Sequence, residues 1–285
     1  MTNKVLITGS NGFIGKNLTE YLLKKSFEVH AIGLNRPKIK NKKFFFYKKN
    51  LLKDIKFELK NIQCLIHTAA ISPQKKTRDK KIYFYNIRST QNIINFAKKN
   101  KITNIVFLST LAVYGEIKKK IINEKTDILK PTKYGLSKLY SENLIKKEKK
   151  INSISLRLPG VIGYKSKRNL LSNYINYKKN LIKIFNPREM FNNTIHVEKL
   201  CKFILILINK VNFRGHSTLV LSSDKPMKFI DIIKYLFPNK EVIIEKDLKK
   251  HSFIIDNKLA KKNFYFRPGK TLDAIKKFKL ENKIN

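Results

Sequence analysis

The chain has 285 residues, a formal net charge of +42, 42% hydrophobic residues and 11% aromatic residues. This length allows a single core domain or a core with a smaller appendage, and the apolar content excludes a disordered chain. Of 62 basic residues, 54 are Lys and 8 are Arg, spread along the whole length; specific nucleic-acid recognition, which favours Arg forks and interleaved aromatics, is not expected, although a basic field attracts anionic small molecules.

Two cysteines, Cys64 and Cys201, cannot build a disulfide framework and lack a Cys-x-x-Cys spacing for metal or redox chemistry. They are expected to be buried structural thiols, and no metal is expected. The apolar stretch Val5 to Thr8 runs straight into glycines, unlike a signal peptide, and Phe203 to Ile208 is too short to span a membrane. A reducing cytoplasm without membrane partners is the expected setting.

Lys4 to Thr8 reads as a strand that ends on Gly9, and Phe13 to Lys25 then places apolar residues at helical spacing. Further strands are predicted at Glu28 to Gly33, Phe44 to Tyr47, Gln63 to His67, Asn104 to Ser109 and Ser153 to Arg157, with helical patterns between most of them. Strands alternating with helices imply βαβ crossovers and an α/β fold with a doubly wound parallel sheet, which binds ligands at the carboxyl ends of its strands. Beyond Pro159 the pattern loosens: helices are predicted over Leu170 to Tyr177, His196 to Ile208 and Phe229 to Phe237, and a strand over Thr218 to Leu221. This half is expected to cover the substrate.

Three constellations carry chemistry. Gly9-Ser-Asn-Gly12-Phe-Ile-Gly15 lies between a strand and a helix; the glycines permit a tight turn, close approach of backbone amides to a pyrophosphate, and packing of the helix on the sheet. Its spacing differs from the commonest Gly-x-Gly-x-x-Gly fingerprint. Tyr134-Gly-Leu-Ser-Lys138 places a phenol and an ammonium on one helix face. A phenol with a reference pKa of about 10 is a poor proton carrier near neutrality, and a nearby cation favours its phenolate. Ser109 and Thr110 close the fifth strand, where their hydroxyls can hold a substrate oxygen. With His67-Thr-Ala-Ala70 after the fourth strand, these signals follow one another in a fixed order.

In that order the chain resembles, over nearly its whole length, the extended short-chain dehydrogenases/reductases, the epimerase/dehydratase family that works on nucleotide sugars. The resemblance implies a Rossmann-type sheet over residues 1–165, rejoined by 190–222, and a smaller substrate-binding portion over 166–189 and 223–285. It makes Thr110 the catalytic hydroxyl, with Ser109 as its neighbour, Tyr134 the acid/base and Lys138 the ribose-binding lysine. It assigns Gly9, Asn11, Gly12, Phe13, Ile14, Gly15, Asn50, Leu51, Thr68, Ala69, Ala70, Asn86 and Ser109 to the cofactor, and Pro159 and Val161 to the nicotinamide. Ser72, Thr110 and Leu111 fall to the substrate. Asn192 stands where the family often has an Arg for the substrate diphosphate, and Leu111 and Ala112 stand where its dehydratases carry Asp-Glu, which disfavours dehydration.

Gly33 ends the second strand where NAD-binding members place an acidic residue for the ribose 2′-hydroxyl. With no carboxylate there, Arg36, helped by Lys38, is expected to pair with a 2′-phosphate, so NADP(H) is preferred, with NAD as the alternative. The expected activity is reduction of a keto group on a nucleotide-linked sugar, by hydride from NADPH and a proton from Tyr134. Epimerisation through transient oxidation by bound NAD is the alternative, and a non-catalytic cofactor-binding or RNA-binding protein is the third reading. By resemblance a homodimer is expected through helices at Ile82 to Lys98 and Tyr134 to Lys147.

Overall fold

The computed structural model describes residues 3–73, 79–167, 169–175, 181–185, 188–210, 214–245 and 253–284. In chain order the elements are β1 (Lys4–Thr8), α1 (Phe13–Lys24), β2 (Glu28–Gly33), β3 (Phe44–Lys48), β4 (Cys64–His67), α2 (Asp79–Lys99), β5 (Asn104–Thr110), a 3₁₀ turn (Leu111–Tyr114), β6 (Ile121–Ile122), α3 (Lys133–Lys147) and β7 (Asn152–Leu158). They continue with β8 (Gly160–Ile162), α4 (Leu170–Ile175), β9 (Leu181–Phe185), β10 (Met190–Phe191), β11 (Thr194–His196), α5 (Val197–Lys210), β12 (His216–Val220), β13 (Met227–Lys228), α6 (Phe229–Leu236), β14 (Glu241–Glu245), β15 (Ile254–Ile255), α7 (Lys258–Phe264) and α8 (Thr271–Glu281). The predicted helix from Leu170 ends at Ile175 among the described residues, and 176–180 lie outside them.

The chain divides into two compact units, one made of 1–115, 128–157 and 204–219, the other of 116–127, 158–203 and 220–285. The first is built on a seven-stranded sheet ordered β12-β7-β5-β4-β1-β2-β3. The β3–β2, β2–β1, β1–β4 and β4–β5 pairings are parallel, with Thr8 opposite both Ile32 and His67. β1 and β4 are buried along almost their whole length, which explains why they read as unbroken apolar runs. Chain order reverses between β1 and β4, and loops that diverge at such a point leave a crevice between them.

Helices join β1 to β2, β4 to β5 and β5 to β7, but the connections β2–β3 and β3–β4 contain none. The second runs as coil, buries Ile55 and Leu59 in the core beside Leu65, Phe96 and Phe107, and donates the Leu59 amide to the Asn100 side chain at 2.6 Å. The second unit has its own core of Ile182, Ile184, Ile232, Ile233, Ile275 and Phe278. Its strands pair in twos, β8 with β11, β9 with β14, β10 with β13 and β6 with β15. Two helices there, α7 and α8, are not marked by the sequence reading; α8 is lysine-rich outside the Ala274, Ile275 and Phe278 that it buries.

Candidate active site

At the carboxyl ends of β1 to β4 a cleft of about 550 Å³ opens in the first unit. Its lining includes Gly9, Asn11 and Gly12 from the β1–α1 turn, Asn50 and Leu51 after β3, Thr68, Ala69 and Ala70 after β4, and Asn86 from α2. The turn is tight for a steric reason. Gly9 has φ of +75°, and a Cβ there would lie 2.8 Å from the Ala69 backbone, while a Cβ on Gly15 would collide with the Gly9 carbonyl. The strand and helix therefore approach as closely as the motif predicts, with Phe13 and Ile14 in the first turn of α1.

The residues fit a dinucleotide. No side chain caps the N-terminus of α1 at Gly12, so the first-turn amides remain for an anion, and the first turn holds no acidic residue. The hydroxyl of Ser10, buried in the turn, has no hydrogen-bond partner among the described residues. Gly33, Leu34 and Asn35 line the cleft together with Lys49, and Lys81 contributes from α2; no Asp or Glu is among the described lining residues. Arg36 does not line the cleft: it is exposed and lies over the Phe44 ring, 5.5 Å from its centroid, and Lys38 is exposed as well.

Beyond the cleft, β5 delivers two hydroxyls with different fates. Ser109 is buried and donates to Glu142 Oε1 at 2.5 Å. Thr110, half-buried, caps the 3₁₀ turn by accepting from the Ala112 amide at 3.2 Å, and Leu111 beside it is buried. The turn packs against α3 because residue 135 has no side chain, since a Cβ on Gly135 would collide with the Ala112 carbonyl. This contact sets half-buried Tyr134 at the start of α3, capped by Thr132, next to the segment that carries Thr110.

One turn further, Lys138 is buried with its Nζ 4.3 Å from the centroid of the Phe107 ring. Burial pulls its pKa down to about 7, and Glu142 opposes that fall.

Asn86 ties the cleft to α3. Its amide nitrogen donates to the Ile71 carbonyl and to Ser137 Oγ, both at 3.0 Å, its oxygen accepts from the Ile71 amide at 2.8 Å, and Ser137 donates to the Tyr134 carbonyl at 2.7 Å. Ser72 follows in the same loop, whose residues 74–78 lie outside those described. Pro159 and Val161 belong to the second unit, where β8 pairs Val161 with Ile195 of β11. Asn192 is buried in that unit, its amide nitrogen donating to Ser223 and Ile255 carbonyls at 3.2 and 3.0 Å and its oxygen accepting from the Ile255 amide at 2.9 Å. Both ends of the side chain are spent inside the protein.

Some buried contacts were not marked by sequence patterns. The Ala69 amide donates to Thr8 Oγ1, Thr8 Oγ1 lies 2.7 Å from His67 Nδ1, His67 Nε2 lies 3.2 Å from Thr90 Oγ1, and Thr90 donates to the Asn86 carbonyl. One hydrogen per hydroxyl assigns His67 the Nε2–H tautomer. Burial, with the Lys138 charge adding to it, lowers His67 to about 3, so it stays neutral. Glu142 takes a fork from Arg157, Nε to Oε1 at 3.1 Å and Nη2 to Oε2 at 2.8 Å. Burial alone would lower Arg157, but the Glu142 hydrogen bonds and charge raise it. The one signal in the sequence for Glu142 is its spacing of four from Lys138 on the α3 face.

A parallel 3-2-1-4-5 sheet with a glycine turn at β1 and a Tyr-x-x-x-Lys helix after β5 defines a dinucleotide-dependent enzyme of the short-chain dehydrogenase/reductase type. The model of the NAD dependent epimerase/dehydratase family matches residues 5–220, and the chain belongs to that family. Among its relatives, an uncharacterised UDP-glucose epimerase of Bacillus subtilis is 26% identical over 268 residues, 84% of each chain. A UDP-glucose 4-epimerase of Schizosaccharomyces pombe is 30% identical over 168 residues, 52% of this chain and 47% of that one. Among solved structures, the UDP-glucuronic acid 4-epimerase of Bacillus cereus, in complex with NAD, superposes with a TM-score of 0.79 at 22% identity over 98% of this chain and 96% of the other. A UDP-galactose 4-epimerase gives 0.79 at 17% identity over 98% of both. Among the described residues no helix is long and apolar enough to cross a membrane.

Proposed function

We propose that the protein is an NAD-dependent epimerase that inverts a carbinol carbon of a nucleotide-linked sugar by oxidation and re-reduction. The observation that carries this reading is the placement of Thr110, Tyr134 and Lys138 on the packed β5–3₁₀–α3 segment of the unit that also holds the cleft. Thr110 hydrogen-bonds the sugar hydroxyl oxygen, Tyr134 removes its proton and later returns it, and Lys138 supplies the neighbouring positive charge. A nicotinamide dinucleotide in the cleft supplies the hydride acceptor and then the donor. No carboxyl pair follows Thr110, so elimination of water is not served. The similarity to UDP-sugar epimerases supports a nucleotide-linked sugar as substrate, and Asn192, with both its amide ends spent internally, leaves the diphosphate to other side chains.

A second reading is stoichiometric keto reduction with NADPH. A specific observation favours it: the ribose end of the cleft holds Gly33 and Lys49 and no acidic residue. In this reading Lys49, which lines the cleft, is better placed than Arg36 to meet a 2′-phosphate. The two readings separate in one assay, in which UDP-glucose, UDP-galactose and their N-acetyl and uronate counterparts are incubated with the enzyme and either cofactor. Epimer formed without net change in dinucleotide absorbance supports the first reading; stoichiometric loss of NADPH absorbance on a 4-keto sugar nucleotide replaces it with the second. Conversion of none of the sugars by either route removes both.

We also propose that the protein is a homodimer through α2 and α3. Both helices expose aromatic surface, Phe84 at 61% and Tyr140 at 48%, with Tyr140 edge-on to Tyr83 at 5.7 Å. The cytoplasm, where unpaired thiols persist, suits Cys64 and Cys201, both free and buried.

A further inference from the structure

We propose that Glu142 is a positioning residue, its carboxylate clamped by Ser109 and Arg157 one helical turn from Lys138 so that it holds the Lys138 ammonium in its charged form. The inference rests on the reading of Lys138 as the cation of the site. Lys138 has no surface to water worth the name, at 3% exposure, and no carboxylate within salt-bridge distance among the described residues; the π face of Phe107 is its nearest compensation. A buried ammonium without an anion sheds its proton.

Among the described residues, Phe107 of β5 lies against Lys138, neutral His67 of β4 feels its charge, and Tyr134 and Glu142 stand four residues away on either side along α3; around Glu142 are Ser109 of β5 and Arg157 of β7, the latter over the Tyr114 ring of the 3₁₀ turn. His216 of β12, bonded to Ser153, feels the same carboxylate, and its pKa is lowered by burial. Glu142 is the one anion among these groups. It is shared between two cations, Arg157 by direct contact and Lys138 through space. The 2.5 Å bond from Ser109 and the two bonds from Arg157 fix where its charge sits, so β5 and β7 determine the field at Lys138.

Sharing gives an effect of opposite sign for the two partners. Removing the anion with Glu142→Gln leaves two buried cations and drives Lys138 to deprotonate at lower pH; removing the competing cation with Arg157→Gln leaves the carboxylate to Lys138 alone and drives Lys138 to deprotonate at higher pH. A plain structural ion pair would make both variants less stable and move Lys138 in neither.

The test reads Lys138 in the cofactor-free protein. Lys138 is near 7 folded and about 10.4 unfolded. The unfolded chain therefore binds more protons between those values, and stability gains a component that rises with pH from about 7 to about 10 and is absent in Lys138→Met. The pH at which that component begins, taken as the difference in Tm between each variant and its Lys138→Met counterpart, reports the folded-state titration. We expect the onset to fall by about one pH unit or more in Glu142→Gln, to rise in Arg157→Gln and to return to the wild-type value in Glu142→Asp. Should the single Gln variant not fold, Glu142→Gln/Arg157→Gln removes both charges together and still lowers the onset, by less. An onset unchanged in the folded variants, or moved the same way in both singles, overturns the proposal. Because this readout needs no turnover, a shifted onset in a protein that converts no sugar nucleotide leaves the inference standing and fails the catalytic reading alone.

Discussion

At the scale of single residues, the division of labour between Ser109 and Thr110 is decided by burial. Ser109 is turned to Glu142, and half-buried Thr110 is left for a ligand. Replacing Tyr134 by Phe keeps the ring and its packing and removes the proton carrier, so turnover should drop by about 10² or more while dinucleotide affinity, read by fluorescence titration, is nearly unchanged. At the ribose end, Lys49→Ala should weaken NADPH by about fivefold, the equivalent of about 1 kcal/mol for an exposed charged contact, and leave NADH alone, whereas Arg36→Ala should do neither. A selective loss of NADPH in Arg36→Ala would return the arginine to the site. Burial pushes both thiols, Cys64 and Cys201, up to about 12. An aromatic disulfide reagent at pH 8 should therefore find no thiol until the protein is denatured. The motifs that build the candidate site were visible in the sequence because glycine turns and Tyr-x-x-x-Lys are local patterns. Glu142 and His67 were not legible as partners, because their roles depend on contacts with Arg157, Ser109, Thr8 and Thr90, far away along the chain.

At the scale of elements, the close seat of α3 on the 3₁₀ turn is what brings Tyr134 to β5, and it hangs on one missing methyl group. Gly135→Ala should drive that methyl into the Ala112 carbonyl and cost about 1–3 kcal/mol, the usual range for overpacking. Because the first turn of α3 must move to relieve it, kcat should fall as well, and a variant with lowered Tm but unaltered kcat would show that the turn does not position the phenol. The strands and helices of the first unit were read from sequence to within a residue or two in most cases, since parallel strands buried on both faces are continuous apolar runs. The short pairs of the second unit, such as β6 with β15 and β10 with β13, are two residues each and leave no periodicity to detect.

At the scale of the whole molecule, the proposed dimer makes the aromatic surface of α2 and α3 its liability when exposed. Phe84→Lys together with Tyr140→Lys should yield a folded monomer by light scattering at micromolar concentration, since both side chains are exposed in the single chain and only the interface is lost. A wild type that is already monomeric there removes the dimer. The charge of +42, distributed almost evenly, was visible in the sequence at once. What it could not show is that the cleft itself carries Lys49 and Lys81 with no Asp or Glu among its described lining residues. Encounter with an anionic dinucleotide or sugar nucleotide should slow with added salt.

The return of Ile204–Leu219 to the first unit bears on how the protein is made. β12 is the outermost strand beside β7, and Ile208 accepts a bond from the Gln63 side chain at 3.0 Å. When β7 leaves the ribosome, its outer edge has no neighbour. At roughly 5–20 residues per second, it stays bare for several seconds while the chain through Leu219 is synthesised. The nascent sheet thus passes through a stage with an open apolar edge, the kind of edge that captures other strands, and a ribosome stalled after β7 has emerged but before β12 has would hold the chain in that sticky form.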